Sequence, residues 1–411
     1  MSTTAYLLAQ GDELLTGQTV DTNSGWLAEQ LHELGVTVVE VRTVGDDPAA
    51  ITAAIDHACR QADLVIGTGG LGPTSDDHTN AAAAAALGEE LVLFDDELAH
   101  IAALFARFGR PMSKANEKQA WLPASSRALR NDWGTAPGFA IQLHGALACF
   151  VPGVPREMKA IWKHRILPLL SDHVAAASHT RLLFRCMGIA ESVLEERMAP
   201  LARDGWTIGF RTKLPENQVK VYVEAGHDVD AARDEVLAVL GKSCFGVDCG
   251  DLEQVIGELL VAAGQTVATA ESCTGGQISA ALTRIAGSSR YFLEGGCLYA
   301  NEAKIRGASV DPDTLAAHGA VSEPVARQLA EGIRARAGAT WGLGTTGVAG
   351  PGGGSPDKPV GTVHIALAGP DGTWHRRLRL GGGRERITRL ATGAALDMLR
   401  RALQGVLAPP S

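Results

Sequence analysis

The sequence lacks the long apolar run that a membrane-spanning helix requires. No stretch of about 18 or more apolar residues occurs among its 411 residues. The apolar run after Thr4 is only about five residues long and has no basic segment of the kind that opens a secretory signal. We therefore expect a cytoplasmic protein without a membrane partner.

Paired cysteines and an excess of basic charge are also missing. The seven cysteines are scattered, with no C-x-x-C pair, and Cys244 and Cys249 have no histidines nearby to complete a zinc site. Reduced cysteines packed as small apolar groups are the expected state. The formal net charge of −9 argues against broad nucleic-acid binding through surface charge. A chain of this length predicts two or three domains, and no fixed-period repeat is present.

The N-terminal third alternates strand-like and helix-like segments. Short apolar strands are predicted at Ala5–Ala9, at 36–41 and at Leu64–Ile66, and the continuous β-branched run at 36–41 is typical of a buried parallel strand. One helix is predicted after the capping residues at 21–24, and a second after Asp47-Pro48. This order predicts a doubly wound α/β fold.

A glycine-rich loop follows the third predicted strand directly. It runs from Gly67 to Thr79, includes Gly69, Gly70 and Gly72, and precedes an alanine-rich helix. Such a loop allows main-chain N–H groups to approach an anion at the carboxyl end of a strand. A tight turn with helix-capping aspartates is the alternative, since neither a Walker A loop nor a GxGxxG motif is present. Arg156, beside a later turn, is a candidate phosphate ligand or a plain surface arginine.

The middle of the chain predicts a small α+β module. Strands are indicated at Phe184–Met187 and Val219–Val223, and helices at Ala190–Leu201 and Asp228–Leu240. The module has neither a glycine-rich loop nor clustered histidines. A spacer or dimerisation role is therefore predicted, and 248–251 is a plausible linker.

The last domain carries the pattern with the most chemical content. Ser272 lies in the run ESCTGG after an apolar strand, and Lys304 lies 32 residues downstream in YANEAK. A serine hydroxyl is a poor nucleophile until a base takes its proton, and a desolvated lysine can be that base. The pair indicates acyl-transfer chemistry such as amide hydrolysis. A turn serine and a solvated lysine are the alternative.

Taken together, the motifs resemble those of the competence/damage-inducible protein A (CinA) family over essentially the full length. The N-terminal GGLGPT and Asp77 resemble molybdopterin-binding (MogA/MoaB-like) domains. The C-terminal AESCTGG, YANEAK, GVAGPGGGS and KPVGTV resemble nicotinamide-nucleotide amidohydrolases. The resemblance implies a homodimer and three domains: a doubly wound molybdopterin-binding-like domain at 1–171, a KH-like domain at 178–247 and an α/β amidohydrolase domain at 250–411. RNA binding is not implied, because KH domains clamp nucleotides with a GXXG loop and residues 178–247 contain none.

For the C-terminal domain, the resemblance implies hydrolysis of nicotinamide mononucleotide to nicotinic acid mononucleotide and ammonia, without a cofactor. Ser272 would be the nucleophile, Lys304 the base and Tyr299 its orienting or relaying neighbour. Cys273 is disfavoured as the nucleophile because no histidine partner is evident. Main-chain N–H groups near Thr274, Gly275 and Gly276 would stabilise the oxyanion. The remaining substrate-binding candidates are Asn301, Thr346, Gly347 and Ala349, with either Arg384 or Arg389 for the phosphate.

For the N-terminal domain, the resemblance implies hydrolysis of ADP-ribose to AMP and ribose 5-phosphate with magnesium, manganese or cobalt. Asp77 would be catalytic and, with Asp46 or Asp47, would bind the metal, while the loop glycines approach the phosphates. Two other hypotheses stay open. The pockets would only bind ligands in a regulatory protein of competence or DNA damage response, or the N-terminal pocket would belong to a molybdopterin-related enzyme.

Overall fold

The computed structural model describes residues 3–170 and 179–408. The chain forms two compact units, Met1–Thr180 and Arg181–Ser411. The predicted domain boundaries at 171, 178, 247 and 250 stay a prediction. The junction predicted between 171 and 178 lies outside the described residues. In the part of the chain that the structure describes, no helix is long and apolar enough to cross a membrane.

The first unit is built on a six-stranded mixed sheet in the order β2-β1-β3-β8-β7-β6, with a separate β4-β5 pair. Strands β2, β1, β3 and β8 are parallel, and β7 and β6 continue the sheet antiparallel. The strands are β1 (Thr4–Gln10), β2 (Thr37–Val44), β3 (Leu64–Thr68), β4 (Leu91–Leu93), β5 (Trp121–Pro123), β6 (Arg127–Leu129), β7 (Gly138–Leu143) and β8 (Ala146–Val151). The helices are α1 (Asp12–Leu15), α2 (Asn23–Glu33), α3 (Pro48–Gln61), α4 (Thr79–Leu87), α5 (Asp95–Arg107), α6 (Lys114–Glu117), α7 (Pro155–Ile161) and α8 (Leu167–Leu170), with a 3-10 turn at Lys118–Ala120 and a π-helical turn at Trp162–Ile166.

Helices cover both faces of this sheet, which confirms the predicted doubly wound α/β class. Leu27 and Leu31 of α2 pack in one core with Met158 of α7. Ile51 and Ile55 of α3 pack in a second core on the other face. Apolar residues spaced by four on each helix produce these buried stripes.

The prediction of a buried strand at 36–41 was wrong about its burial. Strand β2 is parallel as expected, but it lies at the edge of the sheet, and Val39 and Val41 are about half exposed. A β-branched run fits the pleated backbone at any position in a sheet, so composition alone does not separate an edge strand from a central one.

The second unit contains two sheets. The four-stranded sheet has the order β10-β11-β9-β12, and the five-stranded sheet has the order β14-β13-β15-β16-β17. The strands are β9 (His179–Cys186), β10 (Trp206–Lys213), β11 (Glu216–Glu224), β12 (Cys244–Val247), β13 (Val267–Glu271), β14 (Phe292–Cys297), β15 (Trp341–Gly347), β16 (Thr362–Gly369) and β17 (Gly372–Arg379). The helices are α9 (Glu191–Met198), α10 (Val229–Leu240), α11 (Leu252–Ala263), α12 (Gln277–Thr283), α13 (Asn301–Ala308), α14 (Pro312–His318), α15 (Glu323–Ala337) and α16 (Arg384–Leu403), with 3-10 turns at Ala199–Leu201, Gly241–Ser243 and Ser288–Arg290.

The four-stranded sheet and its helices α9 and α10 share one core, as the predicted α+β module requires. The predicted strands at Phe184–Met187 and Val219–Val223 correspond to parts of β9 and β11, and β12 was not predicted. In the five-stranded sheet, β13 runs parallel to both β14 and β15, while β16 and β17 are antiparallel additions. Helices α11, α12 and α16 pack in one core, and α13, α14 and α15 contribute to another. The parallel centre brings the ends of β13, β14 and β15 to one edge of the sheet.

A buried histidine pair in this sheet predicts acid sensitivity. His364 Nδ1 lies 2.9 Å from His375 Nε2, and His375 Nδ1 lies 3.2 Å from a Glu323 carboxylate oxygen. Burial, assisted by the charge of His375, lowers the pKa of His364 from its ordinary 6.5 to about 4. The unfolded chain therefore binds a proton here before the folded chain does, and this contribution to stability is lost as the pH falls from 6.5 towards 4.

As the pH falls from 6.5 towards 4, the free energy of unfolding should decrease less in His364→Gln than in wild type, by on the order of 1 kcal/mol. Chemical unfolding curves at several pH values measure the difference. His318→Gln, at an exposed position, is the matched control and should follow wild type. An acid dependence unchanged in His364→Gln would show that this histidine does not carry the effect.

Candidate functional site

Three parallel strand ends assemble the C-terminal candidate site. Strand β13 ends at Glu271, which lies opposite Cys297 of β14 and Thr345 of β15. The N–H of Ser272 donates to the Thr345 carbonyl at 3.0 Å, so the serine is fixed immediately beyond the sheet edge. The sequence-predicted segments that follow β13, β14 and β15 therefore meet at one place.

A buried carboxylate shapes the turn that carries Ser272. The Glu271 side chain is fully buried, and its Oε2 accepts the N–H groups of Gly276 and Ile278, both at 3.0 Å. Its Oε1 accepts the N–H and the hydroxyl of Ser279 at 2.8 and 2.7 Å. One side chain thus joins the end of β13 to the first turn of α12. This role of Glu271 was not predicted, although an acidic residue just before a glycine turn and a helix was a usable signal.

The Glu271 bonds also revise the predicted oxyanion donors. Gly276 gives its N–H to Glu271, and Gly275 gives its N–H to the Ser272 carbonyl at 3.2 Å. Gly275 has a φ of +61° and Gly276 a φ of +94°, positive values that this tight turn requires. The amides of Cys273 and Thr274 do not donate to a main-chain oxygen in the described residues, so they are not used in the main-chain bonds of the turn.

Lys304, the base that the sequence pattern predicts, is buried in the structure. It lies on α13 with 1% of its surface exposed, and its Nζ donates to the Tyr299 carbonyl at 2.6 Å. Burial lowers the pKa of Lys304, and nearby Cys273, Cys297 and Glu302 oppose that shift. Among the described contacts there is no hydrogen bond between the Ser272 hydroxyl and Nζ. Such bonds often form only when substrate is bound.

Tyr299 and Arg384 form the exposed side of this site. Tyr299 precedes α13 rather than lying in it, and its hydroxyl accepts Arg384 Nη2 at 3.0 Å. Arg384 Nη1 donates to the Gly350 carbonyl at 2.8 Å. Lys304 therefore contacts the main chain of Tyr299, while the phenol contacts the arginine. Of the two phosphate candidates, the structure brings Arg384 to this site, whereas Arg389 Nη2 donates to the Leu214 carbonyl at 2.8 Å elsewhere in the unit.

The other predicted binding residues differ in what their side chains can reach. Thr346 is buried, and its hydroxyl donates to the Ala320 carbonyl at 2.8 Å. The Thr274 hydroxyl lies 2.8 Å from that of Thr345, which pins the turn to β15. Ala349 is buried, and Asn301 is the exposed first residue of α13. Gly347 ends β15 where a Cβ would lie 2.8 Å from the Thr362 carbonyl oxygen. These contacts hold the walls of the site in place.

Cys273 is a poor alternative to Ser272 in this setting. Its side chain is 6% exposed, and burial raises its pKa to about 12. Because the thiolate is the reactive form, a thiol with this pKa is almost entirely unreactive near neutral pH.

The N-terminal candidate site is a cavity of about 410 Å³ at the carboxyl ends of β1 and β3. Gly69, Gly70 and Gly72 line it together with Asp46 and Asp77. Gly69 and Gly70 have positive φ, and a Cβ on Gly72 would lie 2.5 Å from an Asp77 oxygen, so the loop requires glycine at these positions. The predicted glycine loop and both acidic positions therefore belong to one cavity.

The two cavity aspartates are held by neighbouring donors. Asp46 accepts Gln10 Nε2 at 3.2 Å and the Asp12 N–H at 3.0 Å. Asp77 accepts the N–H and hydroxyl of Thr74 at 2.8 and 2.5 Å. Lys118 Nζ donates to the Thr74 and Asp77 carbonyls at 2.7 and 2.5 Å, so it clamps the loop from outside. Nothing in the local sequence indicates this lysine, because it lies 41 residues beyond Asp77.

Two predicted residues of this domain lie outside the cavity lining. Asp47 is the N-cap of α3, and its carboxylate accepts the Ala50 N–H at 2.8 Å. Arg156 is an exposed residue of α7, whereas the neighbouring Glu157 lines the cavity. Between Asp46 and Asp47, the structure therefore places Asp46 with Asp77.

The cavity oxygens suit a hard divalent cation, but they do not form a complete cage. Among the described residues, no group of three or more His, Cys, Asp or Glu side chains converges as a metal site. Magnesium is commonly held by one or two carboxylates, with water and substrate phosphates completing its shell. Asp46 and Asp77 fit that mode of binding.

Fold and sites together define an α/β protein with a molybdopterin-binding-like first part and a distinct second part. A model of a probable molybdopterin binding domain matches residues 6–172, and a model of the CinA C-terminal domain matches residues 250–403. CinA-like proteins of Anaeromyxobacter dehalogenans strain 2CP-1 and of Gloeobacter violaceus are 42% and 41% identical to this chain. The alignments cover 97% and 98% of this chain and 99% and 97% of the relatives. The chain belongs to the CinA family.

Solved structures match parts of the chain. The competence/damage inducible protein CihA from Agrobacterium tumefaciens is 42% identical, covers 38% of this chain and 97% of its own, and has a TM-score of 0.36. The CinA protein from Thermoplasma acidophilum is 33% identical, covers 42% of this chain and 99% of its own, and has a TM-score of 0.38.

Proposed function

We propose that the C-terminal site hydrolyses the carboxamide of nicotinamide mononucleotide, giving nicotinic acid mononucleotide and ammonia. The observation that carries the proposal is the buried Lys304 amine, with its lowered pKa, at the same sheet edge as Ser272. A desolvated lysine is free amine more often than a solvated one, and only the free amine accepts a proton.

The proposed reaction proceeds through an ester on Ser272. The Ser272 oxygen attacks the amide carbon while Lys304 accepts its proton, and the resulting oxyanion is stabilised by main-chain N–H groups of the turn. Collapse breaks the carbon–nitrogen bond, and Lys304 returns the proton to the departing nitrogen to release ammonia. Water then attacks the ester with Lys304 again as base, which restores the serine hydroxyl and releases nicotinic acid mononucleotide as a carboxylate. Arg384, beside Tyr299, would bind the substrate phosphate.

Product analysis tests this proposal. Purified full-length protein incubated with nicotinamide mononucleotide should release ammonia and nicotinic acid mononucleotide in equal amounts, and a metal chelator should not change the rate. Purified protein that leaves the substrate intact would favour the alternative of a ligand-binding regulatory protein in competence or DNA damage response.

We propose further that the N-terminal cavity hydrolyses ADP-ribose to AMP and ribose 5-phosphate with a divalent cation. The glycine loop and the pair Asp46 and Asp77 in one cavity support this second activity. The cation would neutralise pyrophosphate charge and activate water. The loop amides would bind the phosphates, and Lys118 would keep the loop in position.

Substitutions of the acidic residues should separate their roles. Asp77→Asn and Asp46→Asn are expected to lower AMP release from ADP-ribose by about a hundredfold or more, because each removes a charged ligand of the cation. Asp47→Asn should have a much smaller effect, since asparagine also caps helices. Chromatographic quantification of AMP with added magnesium, manganese or cobalt measures this.

The outcome also separates the alternatives for this cavity. Equal rates in all variants would remove the two aspartates from the reaction. A tightly bound pterin released from purified protein and detected by mass spectrometry would favour a molybdopterin-related enzyme.

The homodimer that the family resemblance implies is a separate proposal, which analytical ultracentrifugation would test.

A further inference from the structure

A second cleft in the Arg181–Ser411 unit is separate from the Ser272 turn. Its volume is about 470 Å³, within the range of small-molecule sites. One wall is the hairpin between β10 and β11, and the other is formed by α12 and α16. Its apolar surface is contributed by Met187, Leu214, Pro215, Leu252, Ala281 and Leu396.

The charged side chains of the cleft leave one positive charge without an acidic partner inside it. Four basic and three acidic side chains line it. Arg185 Nη2 lies 2.7 Å from Glu216 and 2.6 Å from Asp251, and Lys213 is 3.9 Å from Asp251. The third acidic residue, Glu253, pairs with Arg284.

Arg389 is the remaining base. Its Nη2 donates to the neutral Leu214 carbonyl. Its Nη1 lies 3.9 Å from the carboxylate of Glu385, which is 87% exposed and outside the cleft lining. An ion pair this exposed contributes little, so the guanidinium keeps donors for an anion.

Neutral hydrogen-bonding groups lie beside Arg389. Thr392, three residues further along α16, donates its hydroxyl to the Gln277 side-chain oxygen at 3.2 Å. Both residues line the cleft. A cation with adjacent neutral polar groups at one end and apolar surface at the other matches an anionic group attached to an apolar body.

We propose that this cleft binds a small organic anion, a carboxylate or a phosphate monoester carried on a flat apolar ring system. Arg389 would bind the anionic group, and the ring would lie against Met187, Leu214 and Leu396. The two helices of the cleft also lead to the candidate site, since α12 begins directly after the Ser272 turn and α16 begins at Arg384. We therefore infer that occupancy of the cleft changes the deamidase rate, an inference that rests on the proposed function.

Hydrogen-exchange mass spectrometry on the full-length protein tests the binding site without requiring turnover. Nicotinate is the carboxylate probe, and AMP is the phosphate probe. At least one should slow exchange in peptides covering α12 and α16, which distinguishes this cleft from the N-terminal cavity and from the loop at Gly347–Gly354. The probe that protects identifies the preferred anion.

Substitutions in α16 test whether Arg389 is responsible for the protection by the probe. Arg389→Gln should weaken the protection at least about tenfold in apparent affinity, because a charge-assisted hydrogen bond is lost. Arg389→Lys should retain part of it, and Arg386→Gln, at an exposed position outside the lining, should match wild type. The proposed site would be overturned if neither nicotinate nor AMP protects these peptides at millimolar concentration. Equal protection in wild type and Arg389→Gln would overturn it as well.

The rate effect needs its own measurement. A protecting probe should change ammonia release by wild type and by Arg386→Gln, and the change should require about tenfold more probe in Arg389→Gln. Protection without any change in rate would overturn the inferred influence on the reaction and keep the binding site. If nicotinamide mononucleotide is not hydrolysed at all, the exchange experiment still decides whether the cleft binds.

Discussion

Replacing Lys304 with methionine is expected to reduce ammonia release from nicotinamide mononucleotide by about a hundredfold to ten-thousandfold, the usual contribution of a general base. Methionine fills a similar buried volume, so the fold should survive. The amine itself is lost, together with its bond to the Tyr299 carbonyl. Single-turnover rates with the purified variant measure the loss.

The pH dependence gives an independent check of the same role. Burial lowers the pKa of Lys304, so its free-amine fraction rises as the pH passes through that lowered value. The wild-type rate should increase with pH on this limb, and the limb should be absent from the residual rate of Lys304→Met. Lys242→Met, at an exposed position, is the control and should keep the wild-type profile. A full rate in Lys304→Met would remove the lysine from the mechanism.

Among the substitutions considered, replacing Glu271 with alanine is expected to cause the largest loss in the free energy of unfolding. The substitution leaves three N–H groups, those of Gly276, Ile278 and Ser279, without their acceptor. The Ser279 hydroxyl loses one partner and keeps its 2.7 Å contact with the Thr269 hydroxyl. Each unsatisfied buried donor costs about 1–3 kcal/mol, so a loss of at least about 3 kcal/mol in the free energy of unfolding is expected. Ammonia release should fall with it, because the Ser272 turn loses its support.

Two comparisons make this prediction specific. Glu271→Gln keeps one acceptor oxygen but places an NH2 group against two donors, so it should be destabilised less than the alanine variant and more than wild type. Glu258→Ala removes an exposed carboxylate that accepts a hydrogen bond from Gln254, and it should change stability by less than about 0.5 kcal/mol. Denaturant unfolding compares all four proteins. Equal stability of Glu271→Ala and wild type would show that the turn does not depend on this carboxylate.

Local patterns predicted the main features of the fold. The helix predicted after Asp47-Pro48 is α3, which begins at Pro48, because the Asp47 side chain caps it and proline suits the first helical position. The position of Ser272 beyond a strand also followed from a short apolar run ending at a glycine turn. These signals lie within a few residues of the feature they indicate.

What depends on distant contacts could not be predicted in the same way. Lys118 reaches the glycine loop from 41 residues away, and Arg389 approaches Leu214 across 175 positions. The use of the Gly276 N–H by Glu271 depends on a side-chain conformation that composition does not determine. The exposed edge of β2 depends on strand order, which the strand's own residues do not encode.

The rate of ammonia release from nicotinamide mononucleotide, compared among wild type, Ser272→Ala and Cys273→Ser, decides whether Ser272 is the nucleophile of an amidohydrolase. We expect turnover by wild type, loss of nearly all activity in Ser272→Ala, and substantial activity in Cys273→Ser, because burial raises the pKa of the Cys273 thiol to about 12. Circular dichroism confirms that each variant is folded. An inactive wild type, or an active Ser272→Ala beside an inactive Cys273→Ser, would contradict the assignment of Ser272 as the nucleophile of an amidohydrolase.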